Sequence, residues 1–205
     1  MPNIGIMGLA GSGKDTAGKW LVEHRGYERV AFADPLKEAA LHLDPILDSA
    51  HPEHEDPSYH DDYRLSHAVR EFGWERTKEQ PEARRILQEL GASIRALDPD
   101  FWLRQALKKA ADVNERFGRP VVITDVRYPN EVFALRKAGW HLVYIDRPGT
   151  PRMTHESEQL TEENADYLIH NDGDRAHFLR EVQHFAGKVE RFESRRHDAR
   201  SLPFA

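Results

Sequence analysis

Short apolar runs recur at Ile4 to Met7, Val30 to Phe32, Val121 to Ile123, Leu142 to Ile145 and Tyr167 to Ile169, with helical periodicity between them. That alternation predicts an α/β fold, a five-stranded and mostly parallel sheet flanked by helices. A first helix follows Lys14 and a second begins near Pro35, while longer helices are predicted over Pro81 to Leu97, Phe101 to Phe117 and Asn130 to Ala138. Pro35, Pro81 and Pro99 suit helix starts, where a missing N–H costs nothing and the fixed φ is already helical. Near the C-terminus Phe178, Val182, Phe185, Val189 and Phe192 recur at steps of four and three, which gives one apolar helical face for core packing.

Between Asp44 and Arg64 the pattern breaks into Asp, His, Pro and Ser, including His51, His54, His60, Asp61 and Asp62, and predicts an exposed insertion. The histidine spacing fits no zinc signature and prolines interrupt it, so no catalytic metal is assigned there. The 205 residues suit one domain with an insertion. A net charge of −6 without a dominant basic block argues against a duplex nucleic-acid binder. Cysteine is absent, which excludes disulfides and thiolate metal sites. No run of about 18 apolar residues would span a membrane, and the N-terminus leads straight into a strand rather than a signal peptide. The expected compartment is the cytoplasm.

Residues 8 to 16, Gly-Leu-Ala-Gly-Ser-Gly-Lys-Asp-Thr, join the first strand to the first helix and have the form of a phosphate-binding loop. Glycines allow successive N–H groups to face a nucleotide's phosphates. The expected contacts come from Gly11, Ser12, Gly13, Lys14, Asp15 and Thr16, with Lys14 reaching the β- and γ-phosphates. After the lysine, the usual magnesium-binding hydroxyl is replaced by Asp15, with a hydroxyl only at Thr16. A carboxylate beside phosphate oxygens implies a divalent cation between them, held directly or through water.

Val121-Val122-Ile123-Thr124-Asp125 is a buried-strand pattern ending in an acid, so Asp125 is expected to position Mg²⁺. Arg127 leaves that strand at its carboxyl end, the edge at which open parallel sheets bind ligands. Asp34 is a helix-capping candidate, and Lys37, one turn into the same helix, runs against the helix dipole and suits a bound anion. Arg147 and Arg152 lie in a segment of loop formers after the fourth strand. They are expected to belong to a lid that neutralises transferring phosphates and excludes water.

Gly-Lys-Asp-Thr in the loop, Phe32-Ala33-Asp34-Pro35-Leu36-Lys37 and Thr124-Asp125-Val126-Arg127-Tyr128-Pro129-Asn130-Glu131 together resemble the phage deoxynucleoside monophosphate kinases. Gly73-Trp74-Glu75, Leu87-Gln88-Glu89-Leu90-Gly91, Asp98-Pro99-Asp100-Phe101-Trp102, His155-Glu156-Ser157-Glu158 and Asn171-Asp172-Gly173 extend the resemblance in the same order. It implies a three-layer P-loop kinase fold with a core of residues 1–37 and 119–205, a helical monophosphate-binding region at 38–118 and a lid at about 147–163. It also implies ATP and Mg²⁺, with Lys14, Arg127, Arg147 and Arg152 as catalytic cations and Asp15, Thr16 and Asp125 at the metal. Asp34, Lys37, Arg70, Arg85, Gln88, Arg95, Trp102 and Asp125 become candidates for the acceptor. A homodimer and a bacterial host's cytoplasm follow from the same resemblance. Two other readings stand beside it. One is a kinase of another small metabolite such as dephospho-coenzyme A, whose C-terminal strand resembles Ala165 to Gly173. The other is a non-catalytic nucleotide switch, which would leave the helical insertion unexplained.

Overall fold

The computed structural model describes residues 2–48, 62–151 and 160–201. The chain folds as two compact units, Met1–Phe32 with Ala106–Ala205, and Ala33–Gln105.

The first unit holds β1 (Ile4–Met7), α1 (Lys14–Arg25) and β2 (Glu28–Val30), and later β5 (Val121–Ile123), α6 (Pro129–Lys137), β6 (His141–Asp146), β7 (Tyr167–His170) and α7 (Arg175–Ser201). Its five strands form one parallel sheet in the order β2-β5-β1-β6-β7. Alternate residues supply the two faces. Ile4, Ile6, Val122, Val143, Ile145 and Ile169 pack with Ala17 and Leu21 of α1 and with Phe178, Val182, Phe185 and Val189 of α7. Gly5 lies on the opposite face, where its missing side chain leaves room for Leu142, Val126 and Leu135 of α6. Helices thus cover both faces, which is why the strands read as continuous apolar runs. The expected Phe178-to-Val189 stripe is the α7 contribution to this core, while Phe192, the last member of the repeat, is 53% exposed.

The second unit holds α2 (Ala33–Leu43), the ribbon β3 (Ile46–Asp48) and β4 (Tyr63–Arg64), α3 (Leu65–Thr77), α4 (Pro81–Leu97) and the start of α5 (Phe101–Phe117). Ala40, Leu65, Ala83 and Leu87 form its centre, with Leu36, Val69, Trp74 and Leu90 packed around them. Pro81 stands at the first turn of α4, as its fixed φ predicts.

The structure corrects one expectation and adds detail to two others. The second strand is Glu28–Val30 rather than Val30 to Phe32. Ala31 and Phe32 are buried, but Phe32 gives its N–H to Asp125 Oδ1 at 3.0 Å instead of to a ladder, so the apolar run marks burial and not pairing. Within the Asp44-to-Arg64 stretch, Ile46 lies opposite Arg64 and Asp48 opposite Tyr63 in an antiparallel ribbon. His51, His54, His60 and Asp61 lie outside the described residues. Finally, α3 lies in the region 38–118 but has no predicted bounds of its own. Its helical signal is interrupted by Gly73, whose φ of 71° and ψ of 167° break the helix one turn before its end.

Candidate active site

The phosphate loop is shaped by donors that take up its carbonyl oxygens. Lys14 Nζ donates to Gly8 O at 2.7 Å and Leu9 O at 2.6 Å. Arg147 Nη1 donates to Gly11 O at 3.1 Å and Asn171 Nδ2 to Ser12 O at 2.8 Å. Ala17 N closes the first helical bond onto Gly13 O at 3.0 Å. With the carbonyls directed at protein donors, the loop leads into the first turn of α1, where backbone N–H groups have no intrahelical partner and the dipole favours an anion. Gly13 caps that helix at φ 110°, and a Cβ there would stand 2.9 Å from Asn171 Nδ2 and 3.1 Å from the Phe178 ring. At Gly8 a Cβ would meet Ile145 O at 2.5 Å. Ser12 is 1% exposed and its Oγ is buried without a hydrogen-bond partner among the described residues. A buried hydroxyl of this kind is ordinarily satisfied, and its orphaning fits a loop shaped to hold a polar group.

Two carboxylates are tied to the chain where it leaves β5. Thr124, 2% exposed at the end of β5, donates its hydroxyl to Asp15 Oδ1 at 3.1 Å. The next residue, Asp125, accepts from Phe32 N. Asp15 and Thr16 occupy the first turn of α1. Among the described residues no group of three or more acidic or histidine side chains is placed to hold a metal unaided. Two carboxylates are nevertheless what a Mg²⁺ takes from protein when phosphate oxygens and water complete its octahedron. Arg127 is exposed and its N–H is fixed at 2.7 Å by Glu131 Oε2, which also accepts from Tyr128 N at 3.0 Å. Glu131 is only 5% exposed, so it organises the turn that presents Arg127. Arg152 and the His155-to-Glu158 run lie outside the described residues.

The candidates in the helical unit separate. Asp34 lies inside the first turn of α2 rather than capping it. Lys37 Nζ stands 5.6 Å from the centre of the Trp74 ring, a cation–π pair. Arg70 is exposed on α3. On α4 the buried stripe is Ala83, Leu87 and Gly91, and at helical spacing Gln88 and Arg95 flank it while Arg85 lies farther round. Arg85 is clasped there by Glu82 at 2.5 Å and Glu89 at 2.6 Å, contacts that raise its pKa and hold Glu82 below the usual carboxylate range. Trp102 is 6% exposed and its indole N–H donates to Gly91 O at 3.2 Å. Both placements argue against these residues touching an acceptor: Arg85 is engaged on the solvent face and Trp102 is core.

Sequence reasoning assigned no role to Thr124, Glu131, Trp74 or Asn171. Each sits inside a quoted run, but nothing in the spacing discloses which neighbour its side chain meets.

Residues 41–182 match the family model of deoxynucleotide monophosphate kinase, a span that begins in α2 and excludes the phosphate loop. The chain is 32% identical over 179 residues to the "Putative deoxynucleotide monophosphate kinase" of Acanthamoeba polyphaga mimivirus, covering 76% of this chain and 79% of the viral one. It is 38% identical over 112 residues to an uncharacterized protein of Ictalurid herpesvirus 1 (strain Auburn), about half of each chain, 52% and 49%. Among solved structures, a dephospho-CoA kinase from Campylobacter jejuni is similar with a TM-score of 0.46 at 13% identity, over 93% of this chain and 98% of that one.

Proposed function

The chain belongs to the deoxynucleotide monophosphate kinase family, and from that premise we propose that it moves the γ-phosphoryl group of ATP to the phosphate of a deoxynucleoside monophosphate. The products are ADP and a deoxynucleoside diphosphate, a DNA precursor. The observation that carries the reading is the phosphate loop itself, whose carbonyls are drawn onto Lys14, Arg147 and Asn171 at the entrance to α1.

An acceptor phosphate oxygen attacks the γ-phosphorus, and the bond from that phosphorus to the oxygen bridging it to the β-phosphorus breaks as ADP leaves. A phosphate monoester with its second pKa near ~6 is largely dianionic at neutral pH, so no side chain need remove a proton. The protein's work is alignment and charge neutralisation. The amides of Gly11 to Thr16 hold the donor phosphates, and Lys14 moves from the loop carbonyls onto their β- and γ-oxygens. Asp15, Thr16 and Asp125 would hold a Mg²⁺, which when bound would neutralise phosphate charge, and the Thr124 hydroxyl orients Asp15. Arg127, Arg147 and Arg152 complete the positive surround, the last two in a lid over 147–163. Asp34 and Lys37 at the start of α2, with Arg70, Gln88 and Arg95 in the region 38–118, serve the acceptor, and Trp74 stands beside Lys37. A homodimer in the cytoplasm completes the proposal; among the described residues no helix is long and apolar enough to cross a membrane.

The test is ADP release from ATP and Mg²⁺ with a panel of deoxy- and ribonucleoside monophosphates, dephospho-coenzyme A and a blank without acceptor. Turnover dependent on a deoxynucleotide is expected, and Lys14→Ala should lower kcat by about 100-fold or more, as removal of a preorganised donor does, with an unchanged far-ultraviolet spectrum. Wild-type turnover in the folded variant, or transfer to dephospho-coenzyme A alone, overturns the proposal.

A further inference from the structure

Asn171 is the first residue beyond β7, and its own N–H is tied to Asp146 O at 2.7 Å, so the residue is fixed by the β6–β7 ladder. Its side chain reaches across 159 positions of sequence to the phosphate loop. The partner there is a carbonyl, Ser12 O, so the amino end of the amide must face it. The same amino group is what a Cβ on Gly13 would strike at 2.9 Å, and the other obstacle is the Phe178 ring. Phe178 is 2% exposed and lies in the first turn of α7, where its N–H is taken by Asp174 O at 3.0 Å. Asp174 Oδ1 also accepts from His177 N at 2.7 Å, which fixes the start of that helix. One braced junction, from the end of β7 to the start of α7, therefore supplies both walls around the Ser12–Gly13 peptide.

From this geometry we infer that Asn171 is a positioning residue for the transfer reaction: by holding Ser12 O it turns the Ser12–Gly13 peptide so that the Gly13 N–H faces the donor's phosphates. A peptide is planar, so fixing its oxygen fixes the opposite direction of the following N–H. Arg147 does the same one residue earlier through Gly11 O, but its side chain is exposed, whereas Asn171 is half-buried and held at its own backbone. The inference rests on the kinase reading of the loop and adds to it a residue that acts through the backbone without touching the nucleotide.

The experiment is calorimetric binding of Mg·ATP and of Mg²⁺ with inorganic tripolyphosphate to the full chain, as wild type, Asn171→Asp and Asn171→Ala, with steady-state kinetics alongside. The Asp variant keeps the shape but sets an oxygen against Ser12 O; one lost hydrogen bond corresponds to about tenfold in affinity. Both probes should weaken by that same factor, the KM for ATP should rise with them, and the KM for the monophosphate should stay put. Asn171→Ala should show a smaller loss of the same pattern, and it carries the test if the Asp variant does not fold. Weakening of ATP but not of tripolyphosphate means that Asn171 touches the nucleoside, and overturns the inference. So does unchanged binding of both, or a fall in melting temperature with binding intact. Wild-type protein that binds neither probe overturns the kinase reading as well, which separates the two failures.

Discussion

In the sheet unit, the polar side chains around the phosphate loop are tied chiefly to backbone: Lys14, Arg147 and Asn171 each hold loop carbonyls, and Glu131 and Asp125 each receive backbone N–H groups. In the helical unit the charged side chains are tied chiefly to one another, Arg85 to Glu82 and Glu89, Arg104 to Asp98, Lys78 to Glu75. The difference is one of what a substitution disturbs. A backbone-held side chain sets the direction of a peptide group, so its loss changes the site's shape. A surface ion pair, by contrast, trades one partner for water at little cost.

The strongest way to break this comparison is Gly13→Ala. The new methyl would need φ near 110° and would press on both Asn171 and Phe178. Holding a non-glycine residue there costs on the order of 2 kcal/mol. Displacing the loop by an ångström should lower turnover by about 100-fold. Thermal unfolding and ADP release measure the two effects. A variant as active and as stable as wild type would mean that the loop is not held from behind, and the contrast between the units would lose its first half.

How far the sequence discloses this arrangement depends on the range of the constraint. The phosphate loop is legible because its chemistry is confined to nine consecutive residues between a strand and a helix. The strands are legible because the sheet is covered on both faces, except that β2 slides by two residues where buried Ala31 and Phe32 imitate a strand. The contacts of Thr124 with Asp15 and of Asn171 with Ser12 span 109 and 159 residues and exist only because β5, β1, β6 and β7 are neighbours in that order. No local pattern carries that information. In α4, periodicity shows that Arg85, Gln88 and Arg95 share a helix, but the flank each occupies depends on where Ala83, Leu87 and Gly91 find their core. Trp102 illustrates the same ambiguity for aromatics, since a buried indole with a satisfied N–H and a stacking platform look alike in sequence.

That ambiguity sharpens into a second prediction. Arg95→Ala and Gln88→Ala should each raise the KM for the monophosphate, by about tenfold for the arginine as befits a charge-assisted contact. Arg85→Ala should leave it within about twofold, because its guanidinium is already engaged by two carboxylates on an exposed face. Initial-rate kinetics at saturating ATP decide the matter. A large KM effect at Arg85 with none at Arg95 would reverse the assignment of flanks.

The smallest effect expected is a matter of acid. Among the described residues of the helical unit, Asp44, Glu82 and Asp98 titrate below the usual range. For Asp44 the leading cause is the Ser66 backbone N–H at 2.8 Å, reinforced by the Ser66 hydroxyl at 3.0 Å and by the Arg64 and His67 charges. This carboxylate joins the residue that follows α2 to the first turn of α3. Because its pKa is lower folded than unfolded, the unfolded chain binds the proton first as pH falls. The stabilisation is therefore complete above the ordinary aspartate value near ~4 and is lost as pH drops through the lowered folded value. Among the described residues of the sheet unit the lowered carboxyl is Glu193: burial pushes it up, but His141 at 3.0 Å and the charges of His141 and Arg196 outweigh that push. Asp44→Asn retains an acceptor for Ser66 N and abolishes the titration, so its melting temperature should fall less steeply than wild type's below the ordinary aspartate range. Glu193→Gln should flatten the curve less, because burial already opposes its charged form. Parallel acid limbs for wild type and Asp44→Asn would show that the Ser66 contacts do not favour the charged form, and that exposed pairing in the helical unit is as weakly coupled to folding as the rest of its surface.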